Sequence, residues 1–255
     1  MRFIVLSLSL SLVVSRSTLG QVLDTTQVTS TFSGSVGITN NGFSIVPTFS
    51  LNSPAVITNL FFRKKRFSFD PDIRLVPDAR KGNMLFWFRY YLVERQKFTL
   101  RVGAHPAFSF VRRTLVDNGQ SRELTELLRF AAFEVVPTYR IKPNWSIGAV
   151  YLNGNGLQPY GPQHTNVLFL NTSLSNIRLS NQTRLHLIPT VFILNVDGNS
   201  GSYFSGTAIL SRKDLPFTLQ STINQTFTSD IPGNQNFMWN VLLAYTFNKK
   251  FKRVP

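Results

Sequence analysis

From residue 21 onward, apolar and polar residues alternate with a period of two, in runs separated by clusters of Asn, Gly, Pro, Asp and Lys. An extended strand turns successive side chains to opposite faces, so this period commits the chain to strands. Thirteen runs are visible, at 27–39, 43–50, 55–63, 66–76, 84–95, 97–111, 127–141, 145–154, 164–177, 183–195, 202–212, 216–227 and 236–248. No run carries a helical period. Leu124 to Arg129 is the one stretch that reads as a helical turn, set within a loop.

The two faces of a run differ sharply. Arg66, Ser68, Asp70, Asp72 and Arg74 share one face, and Phe67, Phe69, Pro71, Ile73 and Leu75 share the other. In the next example Thr99, Arg101, Gly103, His105, Ala107 and Ser109 oppose Phe98, Leu100, Val102, Ala104, Pro106, Phe108 and Phe110. Near the end, Phe237, Trp239, Val241, Leu243, Tyr245 and Phe247 form an unbroken apolar face. A single such strand suits a soluble barrel as well as a membrane one. Three features favour the membrane. The runs approach the ~9–11 residues that a tilted strand needs to cross a bilayer. Aromatics recur at run ends (Phe62, Tyr91, Trp145, Tyr203, Phe217, Phe237, Tyr245, Phe247), where interfacial girdles sit. Residues 1–20 read as an export signal: Arg2, then the apolar FIVLSLSLSLVVS, then small Thr18 and Gly20 before Gln21. A sheet in hydrocarbon has to close, because edge amides find no water there. The expected fold is all-β: a closed antiparallel transmembrane β-barrel of about 12 strands, with 14 as the alternative.

The connections set the count. One group is tight: 39–42, 63–66, 94–97, 142–144 and 212–216. The other is longer: 76–83, 112–126, 154–163, 196–201 and 229–235. Bacterial outer-membrane barrels turn tightly in the periplasm and loop widely outside. With both termini periplasmic the number of spans is even, so twelve are expected between 43 and 248. The run 27–39 is then assigned to a periplasmic or lumenal segment within 21–42, and 249–255 to a basic periplasmic tail.

Asn240, Leu243, Tyr245 and Phe247 in the last run resemble the assembly signal of bacterial outer-membrane proteins, although KKFKRVP follows where that signal usually ends. As a pattern, 43–248 resembles the small porin-like barrels of Gram-negative bacteria. The resemblance implies a place in the cell outer membrane, contact with outer-membrane lipid, and insertion by the outer-membrane assembly machinery. It implies no particular substrate.

The formal charge is +15, and +13 without residues 1–20. Nucleic acid is not an expected partner, because the chain reads as exported and its basic residues gather at turns. The chain has no cysteine, so disulfides, thiolate metal sites and a lipidated Cys are excluded. Inward-facing candidates are Asp70, Asp72, Arg74, Arg89, Arg101, His105, Glu134, Arg140, Arg184 and His186. They fit a lattice of paired charges that ties strands together. They also fit a pore constriction in which five arginines outweigh three carboxylates and favour anions. Arg63, Lys64, Lys65, Arg66, Arg95, Lys97, Lys142, Arg212, Lys213, Lys249, Lys250, Lys252 and Arg253 are expected at the periplasmic rim, against lipid headgroups or a periplasmic partner.

Catalysis is not expected. Barrel phospholipases carry a His followed two residues later by Ser-Asn-Gly, and none of His105, His164 and His186 is so followed. His105 and Ser109, four apart along a strand, stand roughly 13 Å from each other. Three isolated histidines form no metal cluster, and no cofactor is expected. The expected function is a narrow channel or transporter for small, anionic solutes. The alternative is a non-conducting structural or adhesion barrel, or a subunit of an envelope complex.

Overall fold

The computed structural model describes residues 30–44, 49–117 and 120–251. The export signal expected at 1–20 lies outside them, as do Lys252 and Arg253 of the basic tail. Twelve strands follow one another: β1 (Ser30–Thr39), β2 (Ala55–Lys64), β3 (Phe67–Leu75), β4 (Lys81–Glu94), β5 (Phe98–Asp117), β6 (Gln120–Lys142), β7 (Trp145–Gly156), β8 (His164–Arg178), β9 (Thr183–Val196), β10 (Asn199–Arg212), β11 (Phe217–Ser229) and β12 (Phe237–Phe251). Each pairs antiparallel with its sequence neighbours, and β1 pairs with β12 to close the barrel. Closure leaves no free edge, as a sheet in lipid requires.

The alternation decides which way each strand faces. In β12, Trp239, Leu243 and Tyr245 are exposed on the outside, while Asn240, Leu242 and Ala244 are buried inside. In β9, Val191 and Ile193 face out, and Phe192 and Leu194 face in. A barrel that is apolar outside and largely polar within spans a membrane by its strands. The seam where the two ends of the chain meet is sealed by phenylalanines on the outer face. Phe32 of β1 stacks on Phe62 of β2 at 4.4 Å and meets Phe247 of β12 edge-on at 5.0 Å. Phe69 and Phe88 continue the row across β3 and β4, 4.9 Å apart.

Ser30 lies opposite Phe251, so both ends of the described chain sit at one mouth, called proximal below. The turns there are short: 65–66, 95–97, 143–144, 179–182 and 213–216. The expected alternation of loop length holds, with three corrections at the other, distal mouth.

The first correction concerns β1. The run 27–39, assigned off the wall, supplies this strand, whereas the described residues of 43–50 supply none. Parity gave the right number of strands and removed the wrong run. The inward face of β1 holds only Thr31, Ser33, Ser35, Gly37 and Thr39. Small residues read weakly in sequence, yet they let β1 pack closely on both neighbours. A Cβ on Gly37 would stand 2.5 Å from the Leu243 carbonyl. The turn read at 39–42 is instead the start of a connection, 40–54, that folds back into the barrel. Second, 112–126 is no loop and 124–129 no helical turn. β5 and β6 continue past the wall as one hairpin. Cross-strand ion pairs hold it, Arg113 with Glu126 at 3.0 Å and Arg112 with Glu123 at 3.8 Å. Third, 196–201 tightens to a two-residue turn at Asp197–Gly198, both at positive φ (51° and 90°). Asp-Gly accepts that conformation readily, and its twist matches the strands it joins. At the C-terminus β12 reaches Phe251, so Lys249 and Lys250 belong to the wall and not to a tail.

Candidate functional site

The lumen divides into three sectors. The first is charged and lies on β3 to β6. Arg89 Nη1 donates to Asp70 at 2.7 Å, and Arg89 Nε donates to Glu134 at 2.7 Å. Arg101 Nη2 reaches the same Glu134 oxygen at 3.1 Å. Arg89 thus spans from β3 to β6, over β5. It can do so because β5 places Gly103 beneath it. A Cβ there would come within 2.9 Å of Arg89 Cγ and 3.1 Å of Glu134 Cγ. Arg89 also lies over the Trp87 ring at 4.3 Å, and His105 packs on that ring at 3.9 Å. The charges are deeply placed: Asp70 is 6% exposed and Glu134 4%. Buried charges persist only when paired, and each of these is, although Asp70 Oδ1 and Arg101 Nε find no hydrogen-bond partner among the described residues.

Asp72 and Arg74 form a second pair further along β3. Arg74 grips the carboxylate with two nitrogens, at 2.9 and 2.7 Å. Its remaining terminal nitrogen donates to the Phe43 carbonyl at 3.1 Å. Phe43 belongs to the inward connection 40–54, and two further side chains hold that segment by its carbonyls. Lys81 Nζ donates to Leu51 at 2.8 Å, and Asn83 donates to Phe49. Within the segment, Gly42 and Leu51 bond to each other, and Ser44 bonds to Ser50. Leu51 packs on Ala55 and Val76, and Phe49 meets Phe130 of β6 edge-on at 5.2 Å. The described parts of the segment, 40–44 and 49–54, therefore lie across the distal lumen, from β2 towards β6.

The second sector is apolar. Val167, Phe192, Leu194, Val196 and Tyr203 cluster on β8 to β10, and Ile231 of the β11–β12 connection folds onto them. Phe192 and Tyr203 stack at 4.7 Å, and the Tyr203 hydroxyl meets Ser229 at 2.8 Å. The third sector is polar, and its wall strands β10 to β12 bring no charge to it. Thr207, Gln220, Thr222 and Asn240, with Asn59 and Arg74, line a cavity of about 300 Å³ between the wall and Phe43–Ser44 of the inward segment.

Of the ten candidates read from sequence, the structure joins Asp70, Arg89, Arg101 and Glu134 into one network, with His105 beside it. Asp72 and Arg74 pair with each other. Arg140, Arg184 and His186 stand apart, near the proximal mouth. There His186 Nε2 and Ser173 Oγ are 2.8 Å from each other. Sequence reasoning passed over Trp87, Ser173, the apolar sector and the inward segment. Parity could have found some of these. Phe192 and Leu194 share a face with Arg184 and His186, and Trp87 shares one with Arg89. Only strand register brings Ser173 to His186.

Net charge is not spread evenly along the barrel. The proximal end carries Arg63, Lys64, Lys65, Arg66, Arg95, Lys97, Arg140, Lys142, Arg178, Arg184, Arg212, Lys213, Lys249 and Lys250 against Glu94 and Asp214. In the lumen Asp70, Asp72 and Glu134 balance Arg74, Arg89 and Arg101. At the distal end Arg80, Lys81, Arg112, Arg113, Arg122 and Arg129 balance Asp78, Asp117, Glu123, Glu126, Asp197 and Asp230. The excess of the described residues therefore sits entirely at one rim.

No protein-family model and no curated protein matches the chain. Solved structures do resemble it. An outer membrane channel from Pseudomonas putida F1 aligns over 87% of this chain and 96% of its own, at 13% identity and a TM-score of 0.48. The KdgM porin, solved with disordered oligogalacturonate, aligns over 85% and 99%, at 9% identity and a TM-score of 0.49. The CymD monoaromatic hydrocarbon channel aligns over 89% and 90%, at 10% identity and a TM-score of 0.45. At these identities and scores the likeness adds nothing to the closed β-barrel that the strand pairing itself shows.

Proposed function

We propose that the protein is a narrow channel in the outer membrane of a Gram-negative bacterium and that it passes small, anionic solutes. The single observation behind this reading is the placement of charge. A rim with fourteen bases and two acids draws anions to one mouth, while the lumen behind it is electrically balanced. The cavity beside the inward segment is lined mostly by amides and hydroxyls, with Arg74 as its one charged side chain, and supports a passage for such solutes. The barrel is inserted by the outer-membrane assembly machinery and is surrounded by outer-membrane lipid. The basic rim rests against headgroups, or against a periplasmic partner.

One observation favours a non-conducting barrel instead. Residues 40–44 and 49–54 lie in the distal lumen and are tied to β3 and β4 by three side chains. Reconstitution in planar bilayers decides between the two. The channel reading expects steady conductance with a reversal potential shifted towards the anion. Folded, inserted protein that stays silent overturns it. The variant that reports selectivity is Arg140→Glu. Arg101→Glu would put a second carboxylate beside Glu134 and so test stability instead.

A further inference from the structure

The proximal mouth contains a constellation that the lumenal network leaves unused. β8 and β9 set Arg178 directly opposite Arg184. Like charges facing each other across a strand pair are unfavourable. The turn between them holds both guanidinium groups but neutralises neither. Arg178 donates to the side-chain oxygen of Asn181. Arg184 donates to the carbonyls of Ser180 at 2.8 Å and Thr183 at 3.2 Å. One step deeper lies the Ser173–His186 contact. Ser146 is the cross-strand neighbour of Ser173, and Arg140 that of Ser146. Four adjacent strands thus present three guanidinium groups, two hydroxyls and an imidazole on one stretch of wall.

No carboxylate answers them. Among the described residues, none of Arg140, Arg178 and Arg184 has an Asp or Glu within 4 Å. The two acids of this rim are engaged elsewhere, Glu94 with Arg63 and Asp214 with Arg212. The contrast with the lumen is sharp, since Arg74, Arg89 and Arg101 all have carboxylate partners. Guanidinium groups fixed by neutral oxygens keep their charge and most of their donors for a ligand.

We propose that Arg140, Arg178 and Arg184, with Ser146, Ser173 and His186, form a binding site for phosphate or a phosphomonoester. A halide needs no directional donors, and a carboxylate is satisfied by a single guanidinium fork. A doubly charged oxyanion with several terminal oxygens uses three guanidinium groups and the hydroxyls between them. The site stands on the geometry of the wall and is independent of conduction.

Calorimetric titration of inorganic phosphate into the folded, detergent-held barrel at low ionic strength tests the site. Saturable binding is expected, with no matching signal for chloride at the same ionic strength. Arg178→Gln with Arg184→Gln is expected to weaken it at least tenfold. Lys249→Gln with Lys250→Gln removes equal charge from the same rim and is expected to change affinity less than twofold. Should the paired arginine variant fail to fold, as judged by heat-modifiable migration, Ser173→Ala serves in its place, with a several-fold loss expected. Equal responses to phosphate and chloride overturn the proposal, as do equal effects of the arginine and lysine pairs or unchanged affinity in Ser173→Ala. Binding in a barrel that is silent in bilayers overturns only the channel reading. Conduction without binding overturns only the site.

Discussion

Gly103 shows how much one residue can decide. Its lack of a side chain lets Arg89 of β4 reach Glu134 of β6 across the intervening strand. Gly103→Ala places a methyl group against Arg89 Cγ, and overpacking of this kind typically costs about 1–3 kcal/mol. Glu134→Gln is expected to be harsher. It leaves Arg89 with Asp70 alone and Arg101 with no carboxylate, and breaking a buried pair costs about 3–5 kcal/mol. Both variants should unfold at lower urea concentration in micelles, Glu134→Gln by the larger margin. A Glu134→Gln protein as stable as wild type would show that the network does not hold β3 to β6 together.

The inward segment 40–54 belongs to the scale of elements. It is attached by three side-chain bonds to carbonyls and by the packing of Leu51 and Phe49, whereas closure of the barrel rests on the ladders of β1. Deleting residues 43–53 leaves Asn40-Asn41-Gly42-Pro54 between Thr39 and Ala55, a length common in hairpin loops. The shortened protein should still fold and should show at least twice the single-channel conductance. Conductance equal to that of the full chain would mean that the segment does not obstruct the path. The same elements show what a sequence discloses. The strands with strong alternation, such as β3, β5 and β12, were legible in facing, and in position except where β5 and β12 run on past 111 and 248. β1 was misplaced because Ser, Gly and Thr on its inner face carry little hydropathy contrast, whereas Phe43, Ile45 and Phe49 mimic a strand. The charged residues of β3 to β6 were legible as inward by parity. Their partners were not, since Arg89 finds Glu134 two strands away through register and a glycine on the strand between them. The Ser173–His186 contact depends on register in the same way.

At the scale of the whole molecule, the charge asymmetry has a consequence that no single residue carries. Fourteen bases against two acids at the proximal rim should enrich anions there and exclude cations, while the distal rim and lumen are balanced. A pore with one charged mouth passes ions unequally in the two directions. Anions driven from proximal to distal enter from an enriched reservoir, and cations moving against them accumulate behind the basic rim, so conductance rises. Reversing the voltage depletes both. Current through a uniformly oriented channel should therefore rectify at low salt, larger for anion flow from proximal to distal. Screening sets its limit. The Debye length is about 30 Å at 0.01 M and about 3 Å at 1 M, so rectification should be strong at the first concentration and absent at the second. Replacing Lys64, Lys65, Arg66, Arg212 and Lys213 with serine removes exposed charge outside the lumenal network and should reduce the asymmetry without lowering the unfolding midpoint. A linear current–voltage curve at 0.01 M would remove the rim from the conduction path. Rectification that persists at 1 M would assign it to the shape of the inward segment instead of to charge.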